Sequence, residues 1–144
     1  MPQAAASLSS TLHLLHRASQ RADALFARHA AGVDLSPRQL AVLQSVARQD
    51  GLSQTDIMNA TGIDRSSTAE LVRRLVSRGN LQRRRTRRDA RAYAIRITAS
   101  GRKLLATGAP AARTAEEKLL QPLPPAERSA FLKALSLITA APLD

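Results

Sequence analysis

The sequence predicts a mainly α-helical fold that carries one small β-hairpin, with helices at both ends of the chain. Three observations predict it. Apolar residues recur at steps of three, four or seven through most of the 144 residues, the spacing that places them on one face of a helix. Only between residues 81 and 97 does the period drop to two, as it does in strands. Ser, Asp or Thr stands ahead of most helical runs, and Gly or Pro punctuates their ends, which are the start and stop signals of short helices.

Residues 1–7 read as a frayed end. A long helix is expected over residues 8–31, with Leu8, Leu12, Leu15, Ala22, Leu25 and Phe26 as one apolar stripe and Gly32 after it. Ser36 is placed to cap the next helix, with Pro37 at its first position and Gln39 at its third. Leu40, Leu43, Val46 and Ala47 form its inward face, and Asp50-Gly51 ends it. A short helix then runs from Ser53 to about Ala60; Ser53 caps it, Asp56 sits three residues on, and Ile57 and Met58 point inward. Thr61-Gly62-Ile63 is the short glycine turn that joins two helices in a helix-turn-helix. Asp64 can accept from the amides of Ser66 or Ser67 and so start the fourth helix. That helix runs to Gly79, which can take the left-handed position past its end. Ala69, Val72, Leu75 and Val76, with Leu71 beside them, face a core.

Past Gly79, Leu81, Arg83 and Arg85 alternate with Gln82, Arg84 and Thr86, and Ala92, Ala94 and Arg96 alternate with Tyr93, Ile95 and Ile97. Two strands around the polar loop at 87–91 make a hairpin, and a hairpin after a helix-turn-helix is a wing. Thr98 caps a further helix through Leu104 and Leu105, which Gly108-Ala109-Pro110 is expected to break or kink. Pro122-Leu-Pro-Pro125 is a turn, and Pro125 opens a last helix that ends near Ala140 with Phe131, Leu135 and Ile138 inward. The chain is one domain. Residues 36–97 form the winged helix-turn-helix part. The apolar stripes over 8–31 and 98–140 exceed what so small a part needs, and are expected to form a helical dimerisation layer from both termini.

The formal net charge is +11, and it is unevenly spread. Of 22 Lys and Arg and 11 Asp and Glu, 13 basic and two acidic residues fall within 65–103, which leaves nine of each for the rest of the chain. A local block of charge points to a polyanion at one face. A membrane surface would want a basic amphipathic helix with bulky aromatics. Only Phe26, Tyr93 and Phe131 are aromatic, so stacking platforms for single strands are missing too. Double-stranded DNA is the expected partner. Arg65, Ser66, Ser67 and Thr68 on the first turn of the fourth helix are placed to enter the major groove, where Arg reads guanine and hydroxyls meet bases or phosphates. Gln54, Arg73 and Arg74 would hold phosphates. Arg91, with Arg87 or Arg88, would enter the narrow minor groove, whose negative potential favours Arg. Asp89 is expected to pair with Arg91 or with an Arg of the preceding helix and so to aim the wing.

In order along the chain, Leu35-Ser-Pro-Arg-Gln-Leu40, Leu52-Ser-Gln-Thr-Asp-Ile57, Thr61-Gly-Ile-Asp-Arg-Ser66, Leu71-Val-Arg-Arg-Leu75, Arg88-Asp-Ala-Arg-Ala-Tyr-Ala94 and Ile97-Thr-Ala-Ser-Gly101 resemble the MarR family of bacterial winged-helix transcription regulators. The resemblance covers nearly the whole chain. One departure is Asn80, where a second apolar residue often follows the glycine. The resemblance implies a sequence-specific DNA-binding regulator, more often a repressor, that works as an intertwined homodimer built from both termini. A two-fold dimer reads an inverted repeat. It also implies that Arg91 of the Asp89-x-Arg91 signature reaches the minor groove and that Asp89 braces it. Relatives of this kind often bind small phenols or aromatic acids between the dimer layer and the winged helix. His13, His16, Arg17 and Met58 are the residues expected to supply such an effector pocket with its cations and apolar wall.

Other chemistry is poorly served. No cysteine is present, which excludes disulfides, thiolate metal clusters and thiol redox switching. The histidines all fall on the first helix with no acidic cluster beside them, Ser66 and Ser67 have no base nearby, and no Gly-rich phosphate loop occurs. No catalytic residue, metal site or cofactor is expected, and the chain is not expected to be an enzyme. No signal peptide or membrane span is visible, so a cytoplasmic, nucleoid-associated bacterial protein is expected. The alternative is a winged helix used as a nonspecific architectural or protein-interaction module. It would carry the same charge block and show no preference for a palindrome.

Overall fold

The computed structural model describes residues 9–86 and 93–143. Six helices and one hairpin follow in the order α1 (Thr11–His29), α2 (Pro37–Arg48), α3 (Gln54–Thr61), α4 (Arg65–Ser77), β1 (Leu81–Arg85), β2 (Tyr93–Ile97), α5 (Ala99–Leu120) and α6 (Pro125–Ala140). Local chemistry sets most boundaries. The Ser10 side chain accepts from the His13 amide and starts α1 three residues later than the apolar stripe alone indicates. At α2, Ser36 Oγ accepts from the Gln39 amide at 3.1 Å and Gln39 Oε1 accepts from the Ser36 amide at 3.0 Å, a reciprocal box with Pro37 at the first position. Thr98 caps α5 through the Gly101 amide.

The core lies beneath the hairpin and among α2, α3, α4 and α5. Val42, Leu43, Val46, Ile57, Val72, Leu75, Leu81 and Ile95 are its most buried apolar residues. The strands pair antiparallel, Leu81 opposite Ile97 and Arg85 opposite Tyr93. A third segment joins them: the Ile95 amide donates to the Leu52 carbonyl at 2.7 Å, which ties the return strand to the turn before α3. Asn80, the departure noted above, is buried. Its amide donates to the Leu75 carbonyl at 2.8 Å, its carbonyl accepts from the Thr98 amide at 3.1 Å, and its Nδ2 reaches Ser100 Oγ at 3.3 Å.

Two expectations are corrected. Of the break or kink expected at Gly108-Ala109-Pro110, the break does not occur; α5 is continuous from Ala99 to Leu120 with Pro110 inside it. Proline in a helix interior costs about 3 kcal/mol in isolation, and tertiary packing offsets it here. Gly108, Ala111 and Ala115 are buried as α5 packs against α1 and α2, and a Cβ on Gly108 would meet Leu35 Cδ2 at 2.3 Å. The second correction concerns the terminal apolar stripes. Phe131 and Ile138 do not point inward: they are 37% and 59% exposed, and no residue of α6 is buried. Leu12 and Leu15 on α1 are exposed as well, and Phe26 is the one buried residue of that helix. One chain offers these stripes no second layer. An apolar cleft of about 600 Å³ opens among α1, the end of α5 and α6, lined by Leu14, Leu15, Leu119, Leu123, Phe131 and Leu135 among others.

Candidate nucleic-acid interface

The interface begins with two capped helices set by one glycine turn. Ser53 Oγ accepts from the Asp56 amide at 3.0 Å, and Asp56 Oδ2 accepts from the Ser53 amide at 2.9 Å. That amide bond holds the Asp56 carboxyl below its usual range. Gly62 ends α3 at φ 70°, a left-handed conformation that glycine takes without strain. Asp64 then starts α4. Its Oδ1 accepts from the Ser67 amide and its Oδ2 from the Ser67 hydroxyl, both at 2.8 Å. These two bonds, with Arg38 nearby, depress the Asp64 carboxyl. The caps fix where the first turn of α4 points.

That turn distributes the expected major-groove residues unequally. Arg65 and Ser66 are exposed. Ser67 is half-buried, and its hydroxyl proton is committed to Asp64. Thr68 is a correction: it is fully buried, and its Oγ1 donates to the Ile63 carbonyl at 3.2 Å. Its place one turn before Val72 puts it on the core side of α4, where it pins the glycine turn instead of facing solvent.

Around that turn the cations are held in pairs. Arg73 reaches Glu70 through Nε at 3.0 Å and Nη2 at 2.7 Å, and Arg74 reaches Glu70 Oε1 through Nε at 2.9 Å. The two guanidinium groups pull the Glu70 carboxyl down to about 2. Arg78 donates to the Asp34 carbonyl at 2.6 Å and lies 3.3 Å from its carboxylate, which fastens the end of α4 to the α1–α2 connection. Gln54, at the first position of α3, is partly exposed.

The hairpin stands beside α4 with Arg83, Arg84 and Arg85 exposed along β1. The Arg85 guanidinium lies 5.9 Å from the centre of the Tyr93 ring, within cation–π range. Arg96 of β2 pairs with Asp50 at 3.5 Å. Arg87, Arg88, Asp89 and Arg91, the expected minor-groove residues and their brace, lie outside the described residues. Among the described residues, the wing is tied to the body by the Leu52–Ile95 bridge and the Asp50–Arg96 pair. Both contacts escaped sequence reasoning. The Glu70 clamp was legible in principle, because Glu70, Arg73 and Arg74 have the three- and four-residue spacing of helix-surface ion pairs.

The expected effector residues are not drawn together around a cavity. His13 is half-buried on α1, His16 and Arg17 are exposed on the same helix, and Met58 is half-buried on α3. A crevice of about 220 Å³ between α1, α2 and α5 is lined instead by Asp23, Phe26, Leu40, Gln44, Glu116 and Leu119, among others. Among the described residues, no group of three or more His, Cys, Asp or Glu could hold a metal ion, and no helix is long and apolar enough to cross a membrane.

Comparison with known proteins fits this arrangement. Residues 33–92, from the approach to α2 to the residue before β2, match the MarR family. The transcriptional repressor NicR of Pseudomonas putida is 32% identical over 123 residues, 85% of this chain and 78% of NicR. BpsR of Bordetella bronchiseptica, a structure described as showing regulation of its DNA binding by 6-hydroxynicotinic acid, superposes with a TM-score of 0.83 at 30% identity, covering 92% of this chain and 96% of BpsR. PcaV of Streptomyces coelicolor in complex with its natural ligand gives 0.85 at 28% identity, over 94% of this chain and 98% of PcaV. The repressor CouR bound to a 23-mer DNA duplex gives 0.81 at 29% identity, over 92% of this chain and 99% of CouR. By these matches and by the order of its elements, the chain belongs to the MarR family of winged-helix transcriptional regulators.

Proposed function

We propose that this chain is a homodimeric repressor that binds an inverted repeat in double-stranded DNA. The observation that carries the reading is the capped start of α4, which leaves Arg65 and Ser66 exposed beside an Arg-rich hairpin. Arg65 reads a base edge in the major groove, with Ser66 beside it. Arg73, Arg74 and Gln54 meet phosphates, and Arg91, with Arg87 or Arg88, enters the minor groove. A similar repressor has been solved on a DNA duplex. Helices within 8–31 and 98–140 form the dimer layer, because α1 and α6 expose apolar stripes that a single chain leaves uncovered. Residues 36–97 form the DNA-binding part, and the protein works in the cytoplasm, at the nucleoid.

A small aromatic acid relieves the binding. The support is the relatives, one whose DNA binding is regulated by 6-hydroxynicotinic acid and one solved with its natural ligand. The crevice between α1, α2 and α5 adds Phe26 and Leu40 as an apolar wall. Asp23 and Glu116 line it and, among the described residues, no cation does, so the cationic partner of the acid is assigned to His13, His16 or Arg17 of α1.

Selection from a pool of random duplexes tests the reading. The expected product is a palindrome whose half-sites lie about one helical turn, roughly 10 base pairs, apart. Recovery of unrelated sequences would put the nonspecific architectural module in its place. Thermal-shift titration with hydroxylated benzoic and nicotinic acids tests the effector, and release of the selected duplex by the same compounds is the matching readout.

A further inference from the structure

Glu70 has no place in the reading above, yet it sits amid the residues that carry it. It is the single acid between Asp64 and Asp89 in a segment otherwise rich in arginine. An acidic side chain on a DNA-facing surface repels phosphate, so its position needs a reason. Its ion pairs are exposed, with side-chain exposures of 46% for Glu70, 62% for Arg73 and 63% for Arg74. Exposed pairs of this kind do little for stability.

The geometry of the clamp supplies the reason. Both carboxylate oxygens are used: Oε2 takes Arg73 Nε, and Oε1 takes Arg73 Nη2 and Arg74 Nε. Arg73 therefore turns its Nε–Nη2 edge inward and can offer a phosphate only its remaining edge. Arg74 is held at Nε, and its terminal nitrogens take no part in the pairing with Glu70. The trio carries one net positive charge where two free arginines would carry two. Glu70 also lines the open cleft, about 370 Å³, between the start of α2 and the outer face of α4, together with Arg38, Ser66, Ser67 and Arg74. It thus lies at the edge of the surface that would read bases.

We propose that Glu70 is a specificity-determining positioning residue: it holds Arg73 and Arg74 in one aim and withholds them from phosphates presented in any other register. DNA of the wrong sequence seats α4 loosely and must compete with Glu70 for both guanidinium groups. DNA of the right sequence seats α4 so that the outward edges meet phosphates while the clamp stays closed. Glu70 acts through the two arginines and touches no base. The inference rests on the DNA-binding reading above.

The test compares the parent, Glu70→Gln, Arg73→Ala/Arg74→Ala and the triple variant. The probes are a duplex selected by the parent from a random pool and a scrambled duplex of equal length, across a range of salt. Glu70→Gln is expected to bind the scrambled duplex about 5- to 10-fold more tightly at 0.15 M salt, with a steeper salt dependence. Neutralising one further phosphate per protomer steepens the slope of log K against log salt by about 0.9 for each protomer. Binding to the selected duplex rises less, so discrimination falls. In the Arg73→Ala/Arg74→Ala background the same Glu70 change is expected to have no effect on discrimination, since its targets are gone. Unchanged discrimination and slope in Glu70→Gln overturn the proposal. So does an effect that persists without the arginines, which would make Glu70 a direct contact to DNA or a plain source of repulsion. If the parent itself selects no sequence, the DNA-reading function fails first and the result is distinct from a failure of the clamp.

Discussion

Gly101 has no room for a side chain, and replacing it with alanine puts a number on the junction between β1 and the start of α5. A Cβ built there would lie 2.1 Å from the Asn80 carbonyl oxygen, 2.8 Å from Ile97 Cγ1 and 3.0 Å from the Asn80 carbonyl carbon. Ordinary contacts between heavy atoms begin near 3.5 Å, so relief needs a shift of roughly 1 Å between the start of α5 and the start of β1. The obstacle is backbone, so a change of rotamer does not relieve it. That shift strains the bonds that close the junction: the Thr98 amide to the Asn80 carbonyl at 3.1 Å, and Thr98 Oγ1 to the Gly79 carbonyl at 2.6 Å. Overpacking costs about 1–3 kcal/mol, and each weakened neutral hydrogen bond adds up to about 1 kcal/mol. Alanine recovers about 1 kcal/mol of helix propensity. The net expected loss centres on about 2 kcal/mol, or roughly 4–8 °C in Tm for a chain of this size. Circular dichroism melts at equal protein concentration read it. Gly32→Ala is the control: it has open space around it but a φ of +83°, so it carries only the left-handed backbone cost of about 1–2 kcal/mol. A Gly101→Ala melt at or above the parent's would refute the steric argument.

The other expectations separate stability from recognition. Thr68→Val keeps the shape and removes the hydrogen bond to Ile63; it should lower stability by about 0.5–1.5 kcal/mol while the selected consensus stays the same. Arg65→Ala should do the reverse, leaving the melt unchanged, weakening operator binding by about 1–3 kcal/mol and relaxing one position of the consensus. Competition binding over single-base variants distinguishes the two. The Glu70 carboxyl is held at about 2 in the folded chain against an ordinary 4.5, so its contribution to stability is complete above 4.5 and is lost as the pH falls toward 2. Because the pairs are exposed, that contribution is small, and NMR titration of the Glu70 side chain is the direct readout. Its midpoint should lie well below 4.5 in the parent and return toward 4.5 in Arg73→Ala/Arg74→Ala; a midpoint near 4.5 in the parent would show that the two arginines do not hold the carboxylate.

Much of this was legible in the sequence because it is local. The caps at Ser36, Ser53, Asp64 and Thr98 and the glycine turn at Gly62 depend on residues within four positions of one another. The two strands of the hairpin follow from a period of two; their register does not. What escaped reading depends on distant contacts. Pro110 looked like a break because helix propensity says nothing of Leu35, which packs against Gly108 and helps keep α5 whole. Thr68 looked like a groove residue because its type fits both a base contact and a buried cap; only its position one turn before Val72 decides between them. Phe131 and Ile138 read as inward because an apolar stripe marks a buried face without saying which chain buries it. Asp50 and Arg96 are 46 positions apart in the sequence, and no spacing rule links them.

The central claim is that the surface around α4 reads sequence rather than charge alone. Fluorescence anisotropy measures it most directly, with labelled DNA from upstream of the protein's own gene against a scrambled duplex at two salt concentrations. The account expects tight binding that weakens steeply with salt on both duplexes and retains a clear preference for the native one at the higher salt. Equal affinity for the two duplexes at both salts, with no palindrome recovered from the random pool, would contradict it and leave the basic block as a nonspecific clamp.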